Sequence, residues 1–318
     1  MKLVTFEHRG KLSIGALTDS QIVVLTAASA AQRRSSGAAS GAARPDLPND
    51  MLEFLAAGET AMESAQLAVQ FTRAQFAAGR ATTGPDGEPL MVPLEEVRLM
   101  APIPRPGKLL CIGLNYRDHA AEASMKVPVR PILFSKYANA VVGPDAPVVL
   151  PGISHKVDFE AELAVVIGKR AKRVSEADAL EYVAGYTMVN DVSARDLQIE
   201  LGGGQWVWGK TLDSFAPIGP TLVTRDEISD PGNLHIAFRL NGQTMQDSNT
   251  RNLIFGVPTL ISFLSQGITL EPGDVIATGT PAGVGFNRTP PVYLKPGDEM
   301  AVEVEGLGVL RNVVAAEQ

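Results

Sequence analysis

Three carboxylates occur at alternating positions just before a long apolar run, and no other feature constrains the fold of this chain as strongly. Asp158, Glu160 and Glu162 lie within residues 157–168 (VDFEAELAVVIG). Alternating side chains of a β-strand share one face, so the three would lie side by side. The apolar run from Leu163 to Ile167 must be buried. The segment therefore predicts a buried strand that begins among clustered negative charges.

Clustered carboxylates beside a buried strand repel one another and need neutralisation, for which a hard divalent cation is the expected partner. Oxygen ligands without a Cys or His cluster favour Mg²⁺, Mn²⁺ or Ca²⁺ over zinc. An exposed edge strand with one charged face is the alternative, and the apolar run weighs against it.

The chain as a whole predicts a mixed α/β fold that is mostly β. From residue 108 onward, short apolar segments alternate with Gly and Pro turns. The predicted strands are 108–113, 132–135, 161–167, 186–190, 216–224, 235–240, 275–279 and 300–304, and the predicted helices are 116–124, 175–184, 192–200 and 256–266. Regular βα repeats are absent from this pattern, so a TIM barrel is not expected.

The N-terminal third has a different pattern. Residues 2–26 suggest short strands with a turn at Arg9–Gly10, and residues 50–79 have a helical period. The Ala- and Ser-rich stretch 27–46 is interpreted as a loop, with a frayed helix as the alternative. A turn-rich segment at 81–107 places a boundary near residue 100. We therefore expect a small N-terminal domain (1–100) and a catalytic domain (101–318).

Charge and cysteine content exclude several classes of function. The net charge is −7 and no basic run occurs, which argues against nucleic acid or an anionic membrane as a partner. The single cysteine, Cys111, lies in an apolar run and is expected to be a small buried residue. No segment approaches the ~20 apolar residues of a membrane span, and the N-terminus has no apolar signal core. We therefore expect a cytoplasmic protein, or one of the matrix or cytosol outside bacteria.

A histidine and a carboxylate follow the predicted strand 108–113. His119 and Glu122 are three residues apart on a predicted helix and can touch. A carboxylate beside a histidine fixes its tautomer and raises its basicity, which suits activation of a water molecule. An ordinary surface contact is the alternative.

Further polar residues follow other strand ends. Asp191 ends a predicted strand and could cap a helix or bind a metal. Arg195 and Gln198 share a helical face and could bind a carboxylate or remain a solvated pair. Lys210 lies among apolar residues, either as a surface lysine or as a stabiliser of a developing oxyanion. Thr280 lies in a Gly-rich turn whose glycine spacing does not fit a dinucleotide site.

These segments, in this order, resemble the fumarylacetoacetate hydrolase family, most closely its fumarylacetoacetate hydrolase domain-containing subgroup. The similarity extends over about residues 105–318 and includes the closing PPVYLKPGD (290–298). The resemblance implies a β-roll fold with a small N-terminal domain, commonly assembled as a homodimer.

The resemblance also implies roles for individual residues. Glu160, Glu162 and Asp191 would be the ligands of one Mg²⁺ or Mn²⁺, and Asp158, which its position had included, would not be a ligand. His119 and Glu122 would form a water-activating dyad on a mobile lid. Lys210 would be an active-site lysine, and the substrate contacts would be Arg195, Gln198 and Thr280. Substrate length would be set by residues 123–129 and 202–208.

The expected activity is metal-dependent hydrolysis of a C–C bond in a 2,4-diketo acid of the acylpyruvate or fumarylpyruvate type, a step typical of aromatic catabolism. His119 would activate water and Lys210 would stabilise the oxyanion, with the metal absorbing enolate charge. The same parts would serve oxaloacetate decarboxylation, keto–enol tautomerisation or isomerisation of a hydroxydienedioate, and the sequence does not separate these reactions. A non-catalytic dimeric binding protein is a further alternative, which the presence of all three catalytic residues disfavours.

Overall fold

The computed structural model of the protein describes residues 1–35, 46–80 and 82–317. It has the predicted mixed α/β fold, with strands dominating and no closed sheet among the described residues. The strands are β1 (Lys2–His8), β2 (Lys11–Thr18), β3 (Gln21–Val24), β4 (Met91–Pro93), β5 (Arg98–Leu99), β6 (Leu109–Gly113), β7 (Ile132–Lys136), β8 (Val141–Val142), β9 (Val148–Leu150), β10 (Val157–Asp158), β11 (Ala161–Ile167), β12 (Val183–Asn190), β13 (Ser193–Ala194), β14 (Ala216–Thr224), β15 (His235–Leu240), β16 (Gln243–Asn249), β17 (Val275–Ala277), β18 (Glu299–Val304) and β19 (Gly308–Ala316). The α-helices are α1 (Leu25–Ser35), α2 (Met51–Ala56), α3 (Gly58–Ala77), α4 (Arg117–Glu122), α5 (Val207–Lys210) and α6 (Val257–Gly267).

A large sheet forms the centre of the molecule, in the order β4-β3-β2-β1-β14-β12-β11-β17-β6-β7. β5 pairs with β1 and β8 with β14 at its margins. β11 lies in the interior between β12 and β17, and each of its seven residues is buried. Both faces of β11 are covered, which agrees with its apolar sequence beyond the first residues. The sequence analysis predicted this burial.

Two smaller sheets complete the strand pairing. β10 and β13 form a short two-stranded sheet, and the order of the other is β16-β15-β18-β19-β9. Phe159, in the link between β10 and β11, stacks on Phe238 of β15 with ring centroids 4.2 Å apart. This contact joins the five-stranded sheet to the start of the central strand.

The N-terminal strands belong to the same large sheet as the catalytic strands, because β1 pairs with β14. The hairpin at Arg9–Gly10 is confirmed, with both residues at positive φ. The expected helix over 50–79 is present as α2 and α3, separated at Ala57. The division at residue 100 stays a prediction.

Three predicted elements are wrong. The predicted helix over 175–184 contains only a short 3₁₀ helix, Ala179–Tyr182, before β12 begins at Val183. Residues 27–35, interpreted as a loop, belong to α1, which packs against α3 and buries Ala27 and Ala28. Alanine is the strongest helix former, and a small side chain allows close packing. The rest of that stretch, 36–45, lies outside the described residues. The predicted helix over 192–200 is instead β13 followed by a single π-helical turn, Asp196–Glu200.

The burial of Cys111 agrees with the expectation from the sequence. Cys111 is buried in β6, and the burial raises the pKa of its thiol well above the usual value. Among the described helices, none has the length and apolar character needed to cross a bilayer.

Candidate metal centre and its cavity

Strand pairing brings the acidic residues together. In the antiparallel β11–β12 pair, Ala161 lies opposite Asn190, so the residue before β11 is adjacent to the residue after β12. Those residues are Glu160 and Asp191, and the Asp191 amide donates to the Glu160 carbonyl at 2.8 Å. Two residues that are distant in sequence thus become neighbours through the register of one strand pair.

The third carboxylate is Glu162, the second residue of β11. The Gly279 amide, just past β17, donates to its Oε2 at 2.8 Å. One oxygen from each of Glu160, Glu162 and Asp191 lies within 4.8 Å of the others, and all three residues are buried. The structure therefore brings together the set of ligands that the resemblance implied.

Asp158 lies outside this group, because the chain leaves strand geometry between β10 and β11. Its carboxylate accepts hydrogen bonds from the amides of Gly285 and Phe286, at 2.8 and 3.0 Å. Arg195 donates to it as well, at 2.9 Å from Nε and 2.8 Å from Nη2. With these partners Asp158 anchors the Gly-rich loop and the arginine.

Buried cations neutralise part of the acidic charge. Lys210 Nζ lies 2.9 Å from Glu160 Oε2 and 2.7 Å from Asp191 Oδ2. Arg195 Nη2 lies 2.6 Å from Glu160 Oε1, and its Nη1 donates to Gln198 Oε1 at 3.0 Å. The sequence-predicted lysine and arginine thus lie directly against the acidic group.

A second lysine was missed by the sequence analysis. Lys136, the last residue of β7, is fully buried, and its Nζ lies 2.7 Å from Asp191 Oδ1. It also donates to the carbonyls of Val192 and Phe215. The signal was an apolar strand ending in a lysine, but the predicted strand stopped one residue short, at Ser135.

The pKa shifts follow from burial and these pairings. Burial alone would raise the pKa of Glu160, but Lys210 and Arg195 outweigh it, and the pKa lies well below the usual range. Burial raises the pKa of Glu162 well above its usual value, and the charges of Asp191 and Glu160 raise it further.

The two lysines respond differently to the same carboxylate. Burial lowers the pKa of Lys136, and Asp191 offsets that effect only in part. In Lys210 the attraction of Asp191 and Glu160 exceeds the cost of burial, so its pKa is raised.

The residues present fit a divalent cation. Four buried carboxylates meet three buried cations among the described residues of this region, which leaves one negative charge in excess; they are Asp158, Glu160, Glu162 and Asp191, and Lys136, Arg195 and Lys210. None of these three cations forms an ion pair with Glu162, and burial together with the charges of Asp191 and Glu160 keeps its pKa raised. An oxygen-only donor set suits Mg²⁺ or Mn²⁺.

The dyad residues are in contact at the edge of the cavity. His119 Nδ1 lies 3.2 Å from Glu122 Oε2 on α4. The Gly283 amide donates to Glu122 Oε1 at 2.9 Å, and Asn287 Nδ2 to Oε2 at 3.1 Å. Burial opposes ionisation of Glu122, but these donors outweigh it and hold the pKa of its carboxyl below its usual value. Because an ionised carboxylate only accepts hydrogen bonds, the contact favours the His119 tautomer that carries its proton on Nδ1.

A cavity of about 280 Å³ reaches both the dyad, at His119, and the acidic group, at Glu160. Its lining also includes four other sequence-predicted site residues, Arg195, Gln198, Lys210 and Thr280, and Asn287, which donates to Glu122. Glu122, Glu162 and Asp191 lie outside the lining. Thr280 is held by Gln246, whose Nε2 donates to its Oγ1 at 2.7 Å. Gln246 lies on β16 and gave no signal in the sequence, because its partner is distant along the chain.

Comparison with known proteins agrees with the geometry. Residues 108–315 match the family described as fumarylacetoacetate (FAA) hydrolase C-terminal. The chain is 48% identical over 270 residues to the mitochondrial oxaloacetate tautomerase FAHD2A of Bos taurus, which covers 85% of this chain and 81% of the relative. Two solved structures each cover the whole of both chains. They are the 5-carboxymethyl-2-hydroxymuconate delta-isomerase of Mycobacterium smegmatis (30% identity, TM-score 0.72) and the maleylpyruvate hydrolase of Sphingobium sp. SYK-6 (29% identity, TM-score 0.75).

The cytoplasmic location predicted from the sequence is wrong by this comparison, because the bovine relative is named a mitochondrial protein. The prediction took the lack of an apolar signal core as evidence for the cytoplasm. Mitochondrial targeting segments are amphipathic and rich in Arg and Ser, so an apolar core is not the feature that decides this question.

Proposed function

The chain belongs to the fumarylacetoacetate hydrolase family, and we propose that it is a divalent-metal-dependent tautomerase that interconverts the keto and enol forms of a 2-oxo acid such as oxaloacetate. This was an alternative in the sequence analysis, where C–C hydrolysis was the main expectation. The similarity to a named oxaloacetate tautomerase over 85% of the chain favours the alternative.

The observation that carries the proposal is that His119 of the proton-transfer dyad and Glu160 of the buried acidic group line the same cavity. Glu160, Glu162 and Asp191 would hold Mg²⁺ or Mn²⁺, which when bound supplies Lewis-acid stabilisation of charge on the 2-oxo oxygen. Tautomerisation then needs only a group that removes a proton from C3 and returns it.

His119 would carry out that transfer, because it lines the cavity and contacts Glu122. Its Nε2 would accept a proton from C3 while the C–H electron pair forms the C2–C3 double bond and the C2–O π electrons move to the 2-oxygen. The imidazolium would then return that proton to the 2-oxygen, which gives the enol. Glu122 stabilises the imidazolium that results, because its carboxylate contacts Nδ1 at 3.2 Å. Lys210 lines the cavity, and the positive charge it keeps would stabilise the developing oxygen charge.

The test is a turnover panel with Mg²⁺, comparing oxaloacetate tautomerisation, oxaloacetate decarboxylation and acetylpyruvate hydrolysis by ultraviolet absorbance. Metal-dependent tautomerisation should be the fastest of the three. His119→Ala should lower its kcat by about 10²- to 10⁴-fold, the usual contribution of a general acid–base group. His155→Ala, an exposed histidine outside the cavity, is the matched control and should leave kcat unchanged. Acetylpyruvate hydrolysis that exceeds tautomerisation would overturn the proposal in favour of the hydrolase.

A further inference from the structure

Much of the cavity lining consists of apolar and aromatic side chains. They include Leu114, Met125, Phe134, Trp206, Val284 and Phe286; we call this set the apolar subsite. Both segments expected to set substrate length contribute to it, through Met125 after α4 and Trp206 before α5.

Two aromatic rings of the apolar subsite lie close to the buried cations. Lys210 Nζ lies 5.1 Å from the centroid of the Phe134 ring, and the Arg195 guanidinium carbon lies 5.8 Å from that of Phe286. The outer side of Phe134 packs edge-on against Trp206, with centroids 5.7 Å apart and an interplanar angle of 71°. The walls therefore offer aromatic faces and edges to a ligand held at the acidic centre.

The Trp206 position depends on a glycine. A Cβ built on Gly113, at the end of β6, would lie 2.2 Å from the indole Cζ3. No side chain fits there while the indole occupies its place. Gly113 therefore allows the ring to form the cavity wall.

Cations are found only at the acidic end of this cavity among the described lining residues. Arg195 and Lys210 are the two, and both contact Glu160. A carboxylate on the far side of a bound ligand would lie against apolar groups and lose its hydration without a partner. Lys126 and Arg130 follow α4 but are exposed and outside the lining.

Resting on the proposed function, we propose that the enzyme accepts 2-oxo acids whose C3 carries an apolar, preferably aromatic, substituent, and binds them more tightly than the dicarboxylic oxaloacetate. The 2-oxo acid group lies at the acidic centre and the substituent lies in the apolar subsite. The reacting C2–C3 unit is unchanged, because an arylpyruvate enolises at the same carbon that oxaloacetate does.

The experiment measures dissociation constants of pyruvate, phenylpyruvate and oxaloacetate by calorimetry with Mg²⁺ present, in the His119→Ala background so that ligands are not consumed. Phenylpyruvate should bind about 10- to 100-fold more tightly than pyruvate, the value expected for burying a phenyl side chain. Oxaloacetate should bind more weakly than phenylpyruvate. Equal or reversed affinities would overturn the inference.

Variants test the subsite directly. Trp206→Ala should weaken phenylpyruvate binding by about tenfold or more and leave pyruvate binding unchanged; an equal loss for both ligands would indicate a merely structural role and overturn the assignment. Met125→Lys should shift the preference toward oxaloacetate by about tenfold. Phe76→Lys, an exposed apolar residue on α3, is its control. Oxaloacetate could instead bind more tightly than phenylpyruvate and lose that affinity in Lys126→Ala or Arg130→Ala. That result would overturn the inference and assign a cationic subsite.

The two proposals fail separately. If oxaloacetate is tautomerised but phenylpyruvate binds no better than pyruvate, only the subsite inference is wrong. If phenylpyruvate binds tightly but the wild-type enzyme tautomerises none of the ligands, the proposed function is wrong and the subsite remains.

Discussion

The two ends of the cavity differ in how firmly the fold holds them. The inner end is the acidic group with its buried cations, and the outer end is the dyad with the apolar residues that follow α4. At the inner end, the carboxylates and cations lie on or beside central strands, are almost fully buried, and hold one another in several directions. At the outer end, the dyad lies on a six-residue helix, and the apolar residues that follow it are half exposed, with Met125 at 53%. The inner end is fixed by the fold before any ligand binds, whereas the outer end depends on a few contacts between loops.

The first test of this comparison removes one of the three buried cations at the inner end, Lys136. Lys136→Met removes the ammonium beside Asp191 and leaves buried polar groups without a partner. Loss of one member of a buried ion pair should lower the free energy of unfolding by about 3–5 kcal/mol. Urea unfolding measures this. Lys156→Met removes an exposed pair with Glu200 and should lower the free energy of unfolding far less; similar losses in the two variants would contradict the contrast.

The second test removes a proposed metal ligand. Glu160→Ala deletes one of three carboxylates and should weaken Mg²⁺ and Mn²⁺ binding by at least about 100-fold, more than loss of a supporting residue does. Isothermal calorimetry with Mg²⁺ measures the affinity. Glu59→Ala, an exposed glutamate on α3, should bind as the wild type does. Unchanged affinity in Glu160→Ala would refute the ligand assignment.

The smallest expected effect is at the outer end. Asn287→Ala removes one donor to Glu122 and should reduce kcat by about tenfold. Since hydrogen bonds to the charged form keep the pKa of Glu122 low, their loss raises it, and the acidic limb of the kcat–pH profile should move to higher pH.

A matched control separates positioning from general damage. Asn139 also donates to a carboxylate, that of Asp213 at 2.7 Å, but lies outside the cavity lining. Asn139→Ala should leave the pH profile in place. A fall in kcat with an unmoved acidic limb in Asn287→Ala would argue against a role for Asn287 in holding the dyad.

Much of the inner end could be predicted from the sequence, because its residues combine local patterns that few structures satisfy. Alternating acids before a buried strand indicated Asp158, Glu160 and Glu162. The family resemblance removed Asp158 from this set and selected Asp191, which the sequence had left as either a helix cap or a ligand. The strands 161–167, 216–224 and 235–240 were predicted with the bounds that the structure has. Period-2 patterns and Gly or Pro boundaries supply that information locally.

What was missed depends on contacts between distant parts of the chain. Lys136 is fixed by a carboxylate 55 residues later, and no local pattern predicts that a lysine will be buried. Gln246 is likewise defined by its partner Thr280. The false loop at 27–35 has a related cause, since composition suggested disorder whereas packing against α3 favours a helix.

The pairing of Ala161 with Asn190 has a consequence for how the enzyme would fail. A slip of one residue between β11 and β12 would turn every side chain of one strand to the other face and separate Glu160 from Asp191. Such a protein could keep most of its backbone hydrogen bonds while losing its centre. The specific activity of a preparation therefore depends on the fraction of molecules in which β11 and β12 have paired in the correct register.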